Sequence, residues 1–342
     1  MADYSLLDKF LHSFALGSNM RAEMIHDMER GAYLKSAPAD EGKHVFVTGL
    51  ARAGTTILMR EIHRSDAFGS LSYADMPFVL APNLWHKFSA NNRKAGDMVE
   101  RAHGDGIKVD FYSPEALDEV YWRVFAGKEY IYRDRLVPHA PDAEQMAGYS
   151  DLIRLILLRT GKQRYLSKSN NSILRLPSLA KAFPDAVFLI PIRNPLDHAH
   201  SLLSQHKRFS QGDKFTHNYM KWLGHHEFGV THKPFAWDGI VIKGDPLTLD
   251  YWLAQWVAAH KQIAAVDTAH ANVQLISYQA LKNDATIWPA VAQRIGITPT
   301  PMAEIQVMPD RGFDKPQNPL FDEADNLFRV LEDRAHHSLG AV

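Results

Sequence analysis

The chain alternates short apolar runs with longer stretches in which apolar residues return every three or four positions. Residues 44–48 (HVFVT), 164–167, 187–192 (VFLIPI) and 273–277 (VQLIS) read as strands. The continuously apolar ones have the pattern of strands buried on both faces. A helix over 55–64 follows the first run, and Pro195 opens another toward Arg208 after the third. Asp245 before Pro246 predicts the cap and first turn of a long helix reaching Val266. Leu6, Leu7, Phe10, Leu11 and Phe14 recur at helical spacing and predict a packed amphipathic first helix. A helix lying on a membrane surface is the alternative, and the absence of a basic polar face speaks against it. Strands separated by helices predict an α/β fold: a three-layer sandwich with a central, mainly parallel sheet. The stretches 69–110, 126–150 and 209–245 are rich in Pro, Gly, His and aromatics and read as insertions on that scaffold. We expect one domain over 1–342, with a helical segment 1–42, a core 43–315 and a helical tail 316–342.

Composition narrows the classes. The 342 residues carry 38 Lys and Arg against 39 Asp and Glu, a formal net charge of −1. That balance does not suit a general nucleic-acid binder, so no nucleic-acid partner is expected. There is no cysteine, which excludes disulfide scaffolds, Cys-ligated zinc, iron–sulfur clusters and thiol catalysis. The longest apolar runs fall short of the ~20 residues of a membrane helix. Asp3 and Asp8 interrupt the N-terminal apolar stretch, unlike a secretory leader, so a cytoplasmic protein is expected. Of the 18 histidines, His198 and His200 lie two apart and His225-His226 and His336-His337 are adjacent, and none has metal-ligand spacing. No metal is expected.

In open α/β sheets ligands bind at the carboxyl ends of the strands. After the first strand comes Gly49-Leu50-Ala51-Arg52-Ala53-Gly54-Thr55-Thr56, with two glycines five apart and a helix beyond. Backbone N–H groups and a helix N-terminus there form a phosphate cradle. The lysine that a nucleoside-triphosphate enzyme needs is replaced by Thr55, and the cation has moved into the loop as Arg52. A ligand-free strand-to-helix turn is the plain alternative. After the third strand, Arg193 and Ser201 stand eight residues apart, one at a strand end and one about two turns into a helix. That spacing can pinch one phosphate between a guanidinium and a hydroxyl.

Arg52-Ala53-Gly54-Thr55-Thr56 resembles the 5′-phosphosulfate loop of the sulfotransferases, which use 3′-phosphoadenosine 5′-phosphosulfate (PAPS). Arg193-Asn194-Pro195 with Ser201 resembles the 3′-phosphate signature of the same family. Cytosolic members usually carry Lys where Arg52 stands, whereas tyrosylprotein-type and many bacterial members carry Arg. The resemblance spans roughly 44–315 and implies a P-loop-like fold, PAPS as donor and no metal. It puts Arg52 on the sulfonate and bridging oxygen, Ala53, Gly54, Thr55 and Thr56 around the 5′-phosphate, and Arg193 and Ser201 on the 3′-phosphate. Lys168, 25 residues before Arg193, matches the lysine assisting the leaving phosphate. Tyr278 matches a tyrosine near the adenine, and Arg311 a basic residue gripping the 3′-phosphate.

The family histidine that takes the acceptor's proton in cytosolic members falls on Asn170, and an amide is no base at neutral pH. Carbohydrate- and tyrosine-sulfating members use a carboxylate shortly after the loop helix. Asp75 is the only carboxylate between Asp66 and Asp97 and is the expected base, with a turn or cap before Pro77 as its other reading. Glu115, Asp118 and Glu119 read as capping charges of a helix start, with Glu119 an outside candidate for the acceptor pocket. Trp252 and Trp256, at i and i+4, read as helix core. The expected function is sulfonate transfer to a hydroxyl or amine of a small-molecule, lipid or carbohydrate acceptor. A small-molecule kinase with a degenerate loop and a non-catalytic nucleotide-binding protein are the alternatives.

Overall fold

A computed structural model of the chain describes residues 5–39, 42–89, 99–100, 108–109, 113–302 and 313–340. Four strands form the central sheet: β1 (Val45–Val47), β2 (Leu166–Lys168), β3 (Val187–Ile192) and β4 (Val273–Ser277), in the order β2-β1-β3-β4. Every pair is parallel, with Val45 opposite Leu166 and Val187, and Phe188 opposite Val273. These are the four predicted runs, with small changes at their ends.

The two-residue alternation of a strand divides the side chains between two layers. Val45, Val47, Leu189 and Ile276 face one way, onto Leu58 and Ile62 of the helix Thr55–His63 and Trp288 and Val291 of the helix Ile287–Arg294. Phe46, Phe188, Ile190 and Leu275 face the other, into a larger core that includes Trp252, Trp256 and Leu331. Phe46 and Phe188 stack there, with ring centroids 4.8 Å apart. Helices Pro195–Phe209, Leu249–Ala269 and Pro319–Gly340 pack together on that side. Helices on both faces of a parallel sheet make the expected sandwich.

Three details depart from expectation. The long helix begins at Leu249 with Thr248 as its cap, not at Pro246. Asp245 instead closes a separate turn: its carboxylate accepts from the Leu247 N–H at 2.9 Å and its carbonyl from the Thr248 hydroxyl at 2.7 Å. The first helix, Leu6–Leu16, buries His12, Ala15 and Leu16 and leaves Leu6, Leu7 and Phe10 at 87%, 66% and 64% exposure. Its apolar stripe is therefore only partly packed. Asp118 and Glu119 do not cap by side chain; both carboxylates are buried in networks described below. Among the described residues no helix is long and apolar enough to cross a membrane.

Candidate active site

β1 lies between β2 and β3, so the chain leaves β1 for one neighbour and later returns to the other. The crevice at this switch point, at the carboxyl ends of β1 and β3, is where parallel sheets place ligands. The loop after β1 turns through positive φ at Gly49 (130°), Arg52 (74°) and Gly54 (105°), and Gly54 caps the helix Thr55–His63. Left-handed backbone at a residue with a side chain costs energy, and a run of turns of this kind aims successive N–H groups inward. Gly54 also has no room for a Cβ, which would lie 2.7 Å from Cδ2 of Tyr278.

After β3, Asn194 explains its place in the motif. Its side-chain oxygen accepts from the N–H groups of Leu196 and Asp197, capping the helix that Pro195 opens. Arg193 is thereby fixed at the strand end. Its Nη1 donates to the carbonyl of Arg52 at 3.2 Å, and its guanidinium lies 5.4 Å from the ring centre of Tyr278. Arg52 Nε in turn donates to the hydroxyl of Ser201 at 3.4 Å. The structure thus brings Arg52, Gly54, Arg193, Ser201 and Tyr278 together from the ends of three strands. Ala53 is buried within the loop, and Thr56 is in the first turn of its helix. Arg311 lies outside the described residues.

His198 is a supporting residue that its sequence neighbourhood did not reveal. Buried completely, its Nε2–H donates to the Ala51 carbonyl at 2.8 Å and props the loop from below. Burial pushes its pKa well below the ordinary value, helped by His260, Arg193 and Arg52 and opposed by the bond to Ala51. The ring is neutral and adds no charge to the loop.

The second wall comes from β2. Thr48 donates its hydroxyl to the Ser169 carbonyl at 2.8 Å, and the Ser169 N–H reaches the Val47 carbonyl, so the ends of β1 and β2 are stitched together. Lys168, the last residue of β2, is buried opposite Val47 at the end of β1. Asn170 accepts from the Thr55 hydroxyl at 3.4 Å and donates to Glu227 at 2.9 Å. Ser169 donates to Glu119, whose carboxylate meets Arg175 in a two-pronged pair at 2.9 and 3.0 Å and also accepts from Tyr130. Burial would raise Glu119, but the Arg175 charge and the hydrogen bonds from Arg175, Tyr130 and Asn171 together hold the carboxyl below its usual range. Asp118, one residue earlier, takes hydroxyls from Tyr149, Tyr165 and Ser167, and burial raises its pKa.

Asp75 sits in the short turn Tyr73–Asp75 at 1% exposure. Its carboxylate accepts from the Ser72 N–H at 2.8 Å and from Arg159 Nη2 at 3.0 Å, with Arg159 Nε 3.0 Å from the other oxygen. Those contacts have the form of a turn cap joined to an ion pair.

Glu227 and His225 were not legible as site residues, because their partners are far away in sequence. His225 Nδ1 lies 3.4 Å from Glu227 Oε1, and its Nε2–H donates to the Ala116 carbonyl at 3.0 Å. Burial would lower His225, yet the Glu227 carboxylate raises it above the ordinary value. Burial would raise Glu227, but the charge and hydrogen bond of His225, together with Asn170, hold it well below the carboxylate range. Glu227 Oε2 is buried and makes no hydrogen bond.

The family model of the sulfotransferase family matches residues 44–233. Among solved structures, the chain resembles sulfotransferase STF1 from Mycobacterium tuberculosis H37Rv at 13% identity and a TM-score of 0.50, covering 98% of this chain and 88% of that one. It resembles sulfotransferase STF9 from Mycobacterium avium at 13% identity and a TM-score of 0.51, covering 100% and 87%. Those two likenesses show the fold. Among curated proteins no relative matches the sequence. The family match runs from β1 through both phosphate motifs and past Glu227, over more than half of the residues, and the chain belongs to the sulfotransferase family.

Proposed function

We propose that the protein transfers the sulfonate of PAPS to a hydroxyl or amine of a small-molecule, lipid or carbohydrate acceptor. The observation that carries this reading is the meeting of the Arg52–Thr56 loop with Arg193 and Ser201 at the switch point. The side chains fit a donor with phosphates at both ends of its ribose. Arg52 holds the sulfonate and bridging oxygen, while the N–H groups of Gly54, Thr55 and Thr56 take the 5′-phosphate. Arg193 and Ser201 take the 3′-phosphate, with Arg311 a second cation for it. Tyr278, packed on Gly54 and beside Arg193, offers its ring to the adenine. Lys168 neutralises charge developing on the leaving phosphate. One α/β domain over 1–342 belongs to the same reading.

An in-line transfer of this kind needs positioning, cations on the leaving side and a group to take the acceptor's proton. Asp75 supplies a carboxylate, but one already engaged by Ser72 and Arg159, which supports its turn-and-cap reading. Incubation with sulfur-35-labelled PAPS and a panel of phenols, alcohols and amines, without magnesium, tests the function. The expected result is label in an acceptor and stoichiometric release of 3′-phosphoadenosine 5′-phosphate (PAP). Magnesium-dependent phosphorylation from ATP, with no label transferred, overturns it in favour of a kinase.

A further inference from the structure

Three segments converge at the carboxyl end of β2: 115–119, 168–171 and 224–227. Gly224 comes so close to Glu119 that a Cβ would lie 2.6 Å from its Cγ, and the Asn171 amide donates to the Gly224 carbonyl at 3.0 Å. His225 is fixed on the Ala116 carbonyl. This packing presents the Glu227 carboxylate to Asn170, whose other side meets Thr55 in the phosphate loop. The Glu227 side chain is 8% exposed. One of its oxygens is used by Asn170 and His225, and the other, Oε2, has no hydrogen-bond partner. A buried acceptor left unpaired is costly unless a ligand completes it.

We propose that Glu227 is the general base of this site, its Oε2 receiving the proton of the acceptor's hydroxyl or amine. Asn170 and His225 are its positioning residues. The proposal rests on the sulfonate-transfer reading above and names the group that reading leaves open. In the step, the acceptor's oxygen or nitrogen forms a bond to sulfur as the bond from sulfur to the 5′-phosphate oxygen breaks. The electron pair of the broken bond leaves with the phosphate, and the acceptor's proton passes to Oε2. A carboxylate can play this part when the proton leaves late, as in the kinase catalytic loop, where an aspartate accepts the substrate hydroxyl proton. The amide at the family's histidine position therefore holds the base instead of being it.

The test uses the full chain, with Glu227→Gln, Glu227→Asp and Asp75→Asn beside wild type. Calorimetry with PAP measures the donor site. Label transfer from PAPS to 2-naphthol, 1-octanol, glucose and water measures the chemistry. Glu227→Gln is expected to bind PAP within about twofold of wild type and to transfer at least about 10²-fold more slowly to the best of the four, the usual scale of a base. Glu227→Asp, which keeps the carboxylate, recovers part of the rate. The ring nitrogens of His225 give a readout independent of turnover. Faced by Glu227, Glu115 and Lys168, the imidazole titrates above an ordinary histidine in wild type and lower in Glu227→Gln. Transfer by Glu227→Gln within about threefold of wild type overturns the proposal. So does a parallel fall in PAP affinity and rate, or a rate loss with intact PAP binding in Asp75→Asn alone. Wild type that binds no PAP, or binds it and labels none of the four, contradicts the transfer reading itself and the base with it.

Discussion

At the scale of single residues, Gly54 and Arg193 carry the proposed donor site. An alanine at position 54 would meet both a φ of 105° and the ring of Tyr278. Gly54→Ala is expected to lower stability by about 1–3 kcal/mol, the range for strained backbone, and to abolish PAP binding. Adding Tyr278→Ala removes the overlap but not the strain, so only part of the urea midpoint returns. An unchanged midpoint in Gly54→Ala would mean that the loop is looser than described. The motif residues were legible because each acts locally, Gly54 at a left-handed turn, Asn194 as a cap and Pro195 in a first turn. Glu227 was not, since its meaning comes from Asn170, 57 residues away, and nothing within the run HHEF reports that contact. Asp75 drew attention by its isolation in sequence, whereas Arg159, 84 residues on, is what occupies it.

At the scale of elements, the end of β2 is held by a buried ion pair. Glu119 and Arg175 are 3% and 0% exposed in their side chains, and Arg175 lies 4.8 Å from the ring centres of Trp122 and Tyr130. Removing one member strands the other, so Glu119→Gln is expected to cost about 3–5 kcal/mol in urea unfolding. A loss below about 1 kcal/mol would show that the pair is not needed. The Glu227–His225 pair gives a pH dependence. Glu227, held low, contributes stability above about pH 4.3, its unfolded value, and loses it only as pH falls through the lowered folded value. His225, held high, contributes fully below about pH 6.5 and loses it as pH rises through its raised folded value. The margin of wild type over Glu227→Gln in urea midpoint is therefore expected to shrink as pH rises from about 6.5 through the raised His225 value; a flat margin contradicts the pairing. The strands were legible because runs such as Val45-Phe46-Val47 are apolar on both faces. The start of the helix Leu249–Ala269 was misplaced because Asp245-Pro246 has the composition of a cap but spends its hydrogen bonds on a turn of its own.

At the scale of the whole molecule, the order β2-β1-β3-β4 decides where chemistry sits. It puts the switch point at the carboxyl ends of the paired strands β1 and β3, and both sequence motifs follow those strands. The sequence placed them at strand ends, but strand order comes from pairing between residues more than a hundred positions apart, such as Val45 with Leu166. The crevice is proposed to recognise a nucleotide by its 3′-phosphate. The most direct measurement is calorimetric binding of PAP, AMP and ATP without magnesium, to wild type and Arg193→Ala. PAP is expected to bind far more tightly than AMP or ATP. Arg193→Ala is expected to lose about 1.5–3 kcal/mol of that affinity, the scale of a hydrogen bond to a charged group. Equal affinity for PAP and AMP, or a preference for ATP, would contradict it.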